Sequence, residues 1–382
     1  MTPTDTELGD RCALYAADDA GRPVVSCLAR RTFTVVGARC VAQDDGESLL
    51  GELLADPDNE RVLARDGDLY PLKPRTDVVV RGHAWNPGTE RSYTAAVQVG
   101  ASGKIMRVFG ERSLRHGAHG LAFGDPEPLE SVPLHAGSAY GGIDAIAEER
   151  AGYPARDLLP YLDGEEAAQL ERYVLHHYPR NPAGRGYLIT ADAESLAACR
   201  LPLLEDPDDL LTPERLVLGK REVWWQAPVP AYTGWMDLSW FPRSCFFGIR
   251  EAVAGDVVWP EVQRGFIELN ACDPVHPPRL NHAASNGAAL GLRFEHLRGD
   301  ERVVVTNCKR GLGRWEFRLP GERPRMHITL ASGVTVKARA VLQTVDIEPD
   351  DDRVALVWRC AVSADRPYRP EDLAAVGIDI RW

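Results

Sequence analysis

The strongest strand signal in the chain lies in residues 72–113, LKPRTDVVVRGHAWNPGTERSYTAAVQVGASGKIMRVFGERS. Valine, threonine and aromatic residues recur here with period two, which predicts strands at Thr76–Trp85, Tyr93–Val99 and Lys104–Phe109. The short turn at Gly100–Gly103 predicts that the third strand returns antiparallel to the second. The buried face of the second strand is predicted to consist of Tyr93, Ala95, Val97 and Val99.

The rest of the chain predicts a mainly β fold with a minor α+β component. Residues 1–112 are expected to form an N-terminal antiparallel sheet or sandwich, residues 113–285 a loop-rich middle region with one or two helices, and residues 286–382 a C-terminal antiparallel β-meander. The helices are predicted at Asp144–Arg150 and Asp163–His177. The C-terminal strands are predicted at Ala289–Leu297, Val303–Asn307, Trp315–Leu319, Met326–Leu330, Val334–Val345 and Arg353–Val362.

Composition and charge argue against several classes of function. The chain has 382 residues and a formal net charge of −12, which disfavours binding to nucleic-acid phosphates or to an anionic membrane surface. The eight cysteines are scattered without a Cys-x-x-Cys pair, and the N-terminal residues are polar. No apolar run approaches the ~18 residues of a membrane span. We therefore expect a cytoplasmic protein with reduced, mostly buried thiols and with no nucleic-acid or membrane partner.

A series of short motifs occurs in order along the chain. They are Lys73-Pro74 with Thr76-Asp77-Val78, Gly82, Val97 with Val99-Gly100, Val108–Arg112, Val132–Leu134, Tyr140–Gly142, Asn181–Tyr187, Leu201–Pro207, Trp240–Arg243 and Leu342–Trp358. This collinear pattern resembles the family catalogued as domain of unknown function 2169 (DUF2169). Because many motifs agree in order, the resemblance is far more specific than any one of them.

The resemblance implies an association with bacterial type VI secretion, in which members of the family look like adaptors or chaperones for secreted effectors. It implies neither an enzymatic activity nor a cofactor. The chain departs from the family pattern at Gly137-Ser138, where the family carries a Glu-Arg pair, and in a longer segment between Gly142 and Asn181. A site built on that Glu-Arg pair is therefore not carried over to this chain.

The residues themselves do not indicate a metal site. His116 and His119 have a spacing that zinc ligands can use, but no third ligand is visible near them. His176 and His177 are adjacent, so they diverge by about 100° on a helix and cannot easily share one ion. We expect no bound metal and no cofactor.

Catalytic groups are also not indicated. Cys272 and His276 are residue types of a thiol hydrolase, but neighbouring prolines place them in a loop. The carboxylate runs Glu205–Asp209 and Asp350–Asp352 are predicted to be solvated turns rather than acid–base pairs. The glycine-rich stretch Asn181–Gly186 lacks the Lys-Ser/Thr of a phosphate loop and is predicted to be a structural turn.

The best functional surface that the residues suggest is the aromatic segment 223–247. Its prolines predict an irregular, well-packed chain rather than a long helix. Trp235, Trp240, Phe241 and Arg243 are the residues that we expect either to bind a partner or to brace the fold. Tryptophan and arginine are enriched at binding hot spots, but aromatic residues also fill cores.

These observations favour a non-enzymatic adaptor or chaperone that binds a type VI effector or a PAAR-type spike-tip protein for loading. A carbohydrate- or ligand-binding β module that uses residues 223–247 is the first alternative. An unrecognised hydrolase built on Cys272 and His276, or on His116 and His119, is a weaker one. The sequence leaves the client and its binding surface open.

Overall fold

The computed structural model describes residues 9–44, 46–51, 53–118, 120–151, 176–247 and 280–382 of the chain. The strands in these ranges are β1 Arg11–Ala17, β2 Pro23–Val36, β3 Arg39–Ala42, β4 Leu54–Asp56, β5 Asn59–Arg65, β6 Thr76–Val80, β7 His83–Trp85, β8 Ser92–Val99, β9 Ser102–Phe109, β10 Leu114–Gly117, β11 Gly120–Phe123, β12 Ser131–Pro133, β13 Tyr140–Gly141, β14 Arg185–Gly186, β15 Leu204–Glu205, β16 Arg293–Phe294, β17 Arg302–Lys309, β18 Leu312–Arg318, β19 Arg325–Thr329, β20 Thr335–Arg339, β21 Val341–Glu348, β22 Arg353–Ser363 and β23 Gly377–Arg381. The α-helices in the same ranges are Ala145–Ala151, Ala193–Ala198, Pro213–Leu216 and Pro370–Ala374. Short 3-10 helices are Ala136–Ser138, Arg221–Gln226, Arg243–Phe247 and His282–Ala284. The prediction of a mainly β fold is confirmed.

Most of the strands belong to one large sheet. Its strand order is β15-β9-β8-β17-β18-β3-β2-β22-β21-β6-β16, and β1 also pairs with β2. Neighbouring strands in this order are antiparallel, apart from the parallel pairs β18 with β3 and β21 with β6. Smaller sheets are formed by β20-β19-β23 and by the pairs β10-β11, β7-β12, β13-β14 and β4-β5.

Strands from the two ends of the chain alternate in the large sheet. β2 pairs with β22, β8 with β17, and β6 with β21. The expected N-terminal sheet of residues 1–112 and C-terminal meander of residues 286–382 therefore share one sheet instead of forming separate regions. A buried strand such as β2 needs a hydrogen-bonding partner on each edge, and a distant segment supplies one of them.

The stretch that gave the strongest signal folds mainly as predicted. β8 buries Tyr93 and the other three residues assigned to its inner face, while Thr94 and Gln98 are exposed, and β9 runs antiparallel to it. The predicted strand Thr76–Trp85 is instead two strands. Gly82 between them adopts φ +119, a conformation that strands do not use and that favours glycine. β6 is buried at every position between β21 and β16, whereas β7 pairs with β12.

The remaining predicted elements agree with the structure to different degrees. The helix predicted at Asp144–Arg150 is present as Ala145–Ala151. Most of the helix predicted at Asp163–His177 lies outside the described residues. The predicted strand Ala289–Leu297 contributes only β16, because a turn closed by the Leu292 N–H and the Ala289 carbonyl oxygen occupies its first half.

The main core joins the large sheet to the middle region. Apolar residues of β6, β8, β17, β21 and β22 belong to the same buried cluster as Tyr232, Trp235 and Trp240. The cysteines in the described ranges are free thiols, and burial raises the pKa of Cys27 and Cys308 to about 12. No helix of the described ranges is both long and apolar enough to cross a membrane.

Candidate functional site

Arg243, at the end of the motif Trp240–Arg243, lies in the core. Its guanidinium forms an ion pair with the Asp66 carboxylate, and both side chains are 0% exposed. Nη1 donates to the Met236 carbonyl oxygen at 2.5 Å, and the guanidinium lies 5.0 Å from the centre of the Tyr70 ring. Burial by itself lowers the pKa of Arg243, but the charge of Asp66 raises it above its ordinary value. Arg243 therefore braces the fold and presents no group to a partner.

A second buried ion pair lies next to the first. Lys73 Nζ donates to Asp77 Oδ2 at 2.8 Å, and it lies 4.6 Å from the Tyr70 ring that joins the two pairs. The Asp77 carboxylate also accepts hydrogen bonds from Asn286 Nδ2 and from the backbone N–H of Gly287. Burial raises the pKa of Asp77, but the charges of Lys73 and Arg293 and the hydrogen bonds from Lys73 and the Gly287 N–H hold it below its ordinary value. The Lys-Pro-x-Thr-Asp motif thus anchors the loop that precedes β16.

The aromatic segment 223–247 is mostly part of the core. Trp235 and Trp240 are 2% and 4% exposed. Phe241 is partly buried, and its ring lies 5.4 Å from the buried Trp224 ring in an edge-on arrangement. Trp225 is 43% exposed and presents its ring to solvent. Trp235, Trp240 and Arg243 are all buried, so these three side chains do not form an exposed surface.

Two further ion pairs connect motifs that are distant in the sequence. Arg112, in the segment that follows β9, pairs with Glu205, and both side chains are buried. Glu205 Oε2 also accepts from the Leu211 N–H at 2.7 Å. Arg185 Nη2 donates to both carboxylate oxygens of Glu111 at 2.8 and 2.9 Å. The prediction that Glu205 lies in a solvated turn was wrong, because β15 pairs with β9 and carries it under the surface.

The glycine-rich motif Asn181–Tyr187 contains a turn and the short strand β14. Asn181 Nδ2 donates to the carbonyl oxygens of Ala136 and Tyr140 at 2.8 and 3.0 Å. Within the motif, β14 pairs in parallel with β13. Gly184 approaches the backbone so closely that a Cβ there would lie 2.7 Å from the Ala139 carbonyl oxygen. The motif therefore packs backbone against backbone.

The other residues singled out in the sequence do not form a reactive cluster in the described part of the chain. His116 is exposed on β10, whereas His119, Cys272 and His276 lie outside the described residues. Among the residues that the structure describes, no three His, Cys, Asp or Glu side chains are placed to share a metal ion. Asp350 accepts from the Arg310 N–H at 2.8 Å. Asp350 lies in the turn between β21 and β22, so this hydrogen bond connects that turn to the turn between β17 and β18.

An open strand edge on β18 was not identified from the sequence. β18 pairs with β17 on one side, but on the other side it meets β3 through the single pair Arg318 and Arg39. From Leu312 to Phe317, this outer edge of β18 has no strand partner among the described residues. We refer to the outer edge of Leu312–Phe317 as the β18 edge. The alternating β18 sequence predicted a strand, but it could not show which edge stays unpaired.

A groove of about 520 Å³ opens where β18 and β3 diverge. Its lining includes Arg39, Cys40, Arg302, Glu316, Arg318 and Pro320. Hydrogen bonds from Arg302 and Arg314 lower the pKa of the Glu316 carboxyl to about 2. Arg39 is exposed and makes no ion pair with any described residue. Because arginines outnumber the one glutamate, this groove is positively charged on a chain of net charge −12.

Comparisons with known proteins support the resemblance seen in the motifs. The family described as "Uncharacterized protein conserved in bacteria (DUF2169)" matches residues 20–359. No curated protein and no solved structure matches the chain. The matched range includes every motif described above and most of the chain. The chain therefore belongs to the DUF2169 family.

Proposed function

We propose that the protein is a cytoplasmic, non-enzymatic adaptor or chaperone that binds a protein client. The likeness of DUF2169 proteins to accessory proteins of type VI secretion suggests the class of client, which is an effector or a PAAR-type spike-tip protein. The adaptor keeps the client in a form that can be loaded onto the secretion apparatus.

The β18 edge is the observation that carries this proposal. An unpaired strand edge presents N–H and C=O groups that can add a strand from another chain. Natural sheets usually shorten or cover such edges. Here the edge runs from Leu312 to Phe317 and lies beside a groove that has room for side chains. A binding surface is thus available without any rearrangement of the described core.

The use of the charged motif residues also supports a binding role. Lys73, Arg112, Arg185 and Arg243 each pair with a carboxylate of this chain. Acid–base or nucleophilic catalysis needs such groups in an accessible cleft with a free partner atom. Their internal pairing instead fixes the long loops to the sheet, which suits a rigid scaffold.

Co-expression with the products of neighbouring genes tests the proposal. We expect a spike-tip protein or toxin encoded beside this gene to co-elute with the chain in gel filtration, and to be less soluble when it is expressed alone. A spike-tip protein from an unrelated secretion cluster is the control, and it should not co-elute. The proposal is wrong if no neighbouring product binds and the purified chain has one of two other activities. These are glycan binding that depends on Trp225, and hydrolysis of an ester substrate that a thiol-blocking reagent inhibits.

A further inference from the structure

We propose that the β18 edge binds an acidic, extended segment of the client by strand addition, with the groove between β18 and β3 as its charge-selective end. This inference rests on the proposed adaptor function, since it specifies where and how a client would bind. It commits to a partner chemistry, an acidic peptide strand with alternating apolar side chains.

The direction of the backbone groups makes the β18 edge suitable for a new strand. The Arg318 N–H donates to the Ala38 carbonyl oxygen at 3.2 Å, on the β3 side, whereas the Leu319 N–H donates to the Glu301 carbonyl oxygen at 3.0 Å, on the β17 side. Backbone groups alternate between the two edges along a strand, so those of Arg314 and Glu316 face the same open edge as those of Arg318. An added strand can therefore pair with β18 without disturbing its ladder to β17.

The charges beside this edge favour an added strand that carries negative charge. Arg314, Arg318 and Arg39 are exposed along the β18 edge and in the groove, and Glu316 is already shared between Arg302 and Arg314. Carboxylates of an incoming strand would meet arginine donors, which bind carboxylates in bidentate pairs. A second copy of this chain would bring its own arginines to the same place, and like charges would oppose that pairing.

The apolar surface next to the edge provides further contact area. Leu312 is 44% exposed at the start of β18, and Val41, which is 52% exposed, lies on β3 beyond the Arg39–Arg318 pair. Leu312 shares a face of β18 with Arg314 and Arg318, so the acidic side chains of an alternating strand fall on this face and their methylene groups can cover Leu312. The valine or isoleucine side chains of that strand fall on the opposite face, which is the face of Trp315 and Phe317. The β18 edge thus combines backbone groups, arginines and apolar side chains within one short stretch.

Two variants at position 314 distinguish the contribution of the backbone N–H to peptide binding from that of the side chain. Arg314→Ala removes the guanidinium but keeps the outward N–H, whereas Arg314→Pro removes both. Proline is tolerated on the open side of an edge strand, because the ladder to β17 does not use that donor. The probe is a fluorescein-labelled peptide of alternating valine and glutamate, and its binding is measured by anisotropy at low salt. A valine–lysine peptide of the same length is the matched control.

We expect the acidic peptide to bind the wild-type chain, and to bind Arg314→Pro about tenfold more weakly than Arg314→Ala. The double variant Arg39→Glu with Arg318→Glu should also lose the acidic peptide, which provides a second test if Arg314→Pro does not fold. Circular dichroism and the unfolding midpoint check each variant. The inference is overturned if wild-type chain does not bind the acidic peptide, if both Arg314 variants bind it equally, or if the lysine peptide binds as well.

Light scattering and client binding separate the remaining outcomes. A wild-type dimer that Arg314→Pro converts to a monomer would assign the β18 edge to self-association and overturn the inference. If a native client co-elutes equally with wild-type chain and with Arg314→Pro, the adaptor function stands but this surface does not carry it. If no client co-elutes with wild-type chain, the proposed function itself fails, whatever the peptide does.

Discussion

Arg243 and Asp66 lie 177 positions apart in the chain and form an ion pair whose side chains are both 0% exposed. The pair joins the end of the aromatic segment to the residue that follows β5. Tyr70 completes the arrangement, because its hydroxyl donates to Asp66 Oδ1 at 2.9 Å and its ring lies against Arg243. The Pro-Arg of this DUF2169 motif is thus explained by packing inside the fold.

Removing one member of this pair should strongly destabilise the protein. Arg243→Ala leaves the Asp66 carboxylate buried without its cation, so we expect a loss of about 3–5 kcal/mol in the free energy of unfolding. Urea denaturation measures the loss. The control is Arg366→Ala, which removes a half-exposed arginine that pairs with Asp372, and it should have a much smaller effect. Wild-type stability of Arg243→Ala would contradict the buried pair.

Gly287 should not tolerate a side chain. A Cβ at this position would lie 2.5 Å from Asp66 Oδ2 and 2.9 Å from Arg243 Cζ. Because neither group can move without breaking the ion pair, we expect Gly287→Ala to cost about 1–3 kcal/mol of stability. Gly88→Ala is the matched control, since nothing lies within 4 Å of a Cβ built there. Equal unfolding midpoints for the two variants would show that the Asp66–Gly287 contact is not tight.

A charge on the inner face of β8 should disrupt the sheet. Val97 is 1% exposed, and Val97→Asp would place an unpaired carboxylate in the core. We expect insoluble protein or a loss of about 2–4 kcal/mol in thermal unfolding measurements. Gln98→Asp changes the neighbouring residue, which is exposed on the opposite face, and it should leave the protein folded. If the two variants unfold alike, the assignment of the faces of β8 is wrong.

Acid should remove stability that Asp346 contributes. Its side chain is 2% exposed and accepts from Arg81 Nε at 2.9 Å and Nη2 at 3.0 Å. Burial by itself raises the pKa of Asp346, but the Arg81 charge and hydrogen bonds hold it below its ordinary value. The folded chain therefore keeps this carboxylate ionised at a pH where the unfolded chain already binds the proton.

The sign of the pH effect follows from this difference. The contribution of Asp346 to folding stability is complete above about pH 4, the ordinary pKa range of aspartate. It is lost as the pH falls through the lower pKa that Asp346 has in the folded chain. Urea denaturation between pH 7 and acid should show that Asp346→Asn is less stable at neutral pH and loses less stability below about pH 4 than wild-type chain does. Asp208→Asn, at an exposed position, should follow the wild-type curve. If the free energy of unfolding of Asp346→Asn falls with acid as steeply as that of wild-type chain, Asp346 does not contribute to the acid sensitivity of the fold.

Several parts of the fold could be predicted from local pattern. The alternation in β8 placed Tyr93 and Val97 inside and Gln98 outside, because side chains of a strand alternate between faces. Asp66 and Glu205 could not be recognised as buried, since an isolated acidic residue in a turn-like sequence normally indicates a solvated position. Each is buried because a distant arginine, Arg243 or Arg112, reaches it.

The sequence by itself determined the mainly β fold class, the inner face of β8 and membership of the DUF2169 pattern, since all three depend on the order and spacing of residue types. The tertiary structure decided which strands are neighbours, and so it decided that one edge of β18, beside a basic groove, has no strand partner from Leu312 to Phe317 among the described residues. Backbone hydrogen bonds are chemically alike at every position, so the sequence of one strand does not determine which strand pairs with it. Partners are chosen by the burial and charge pairing of the whole chain, which is why the β18 edge emerged only from the folded structure.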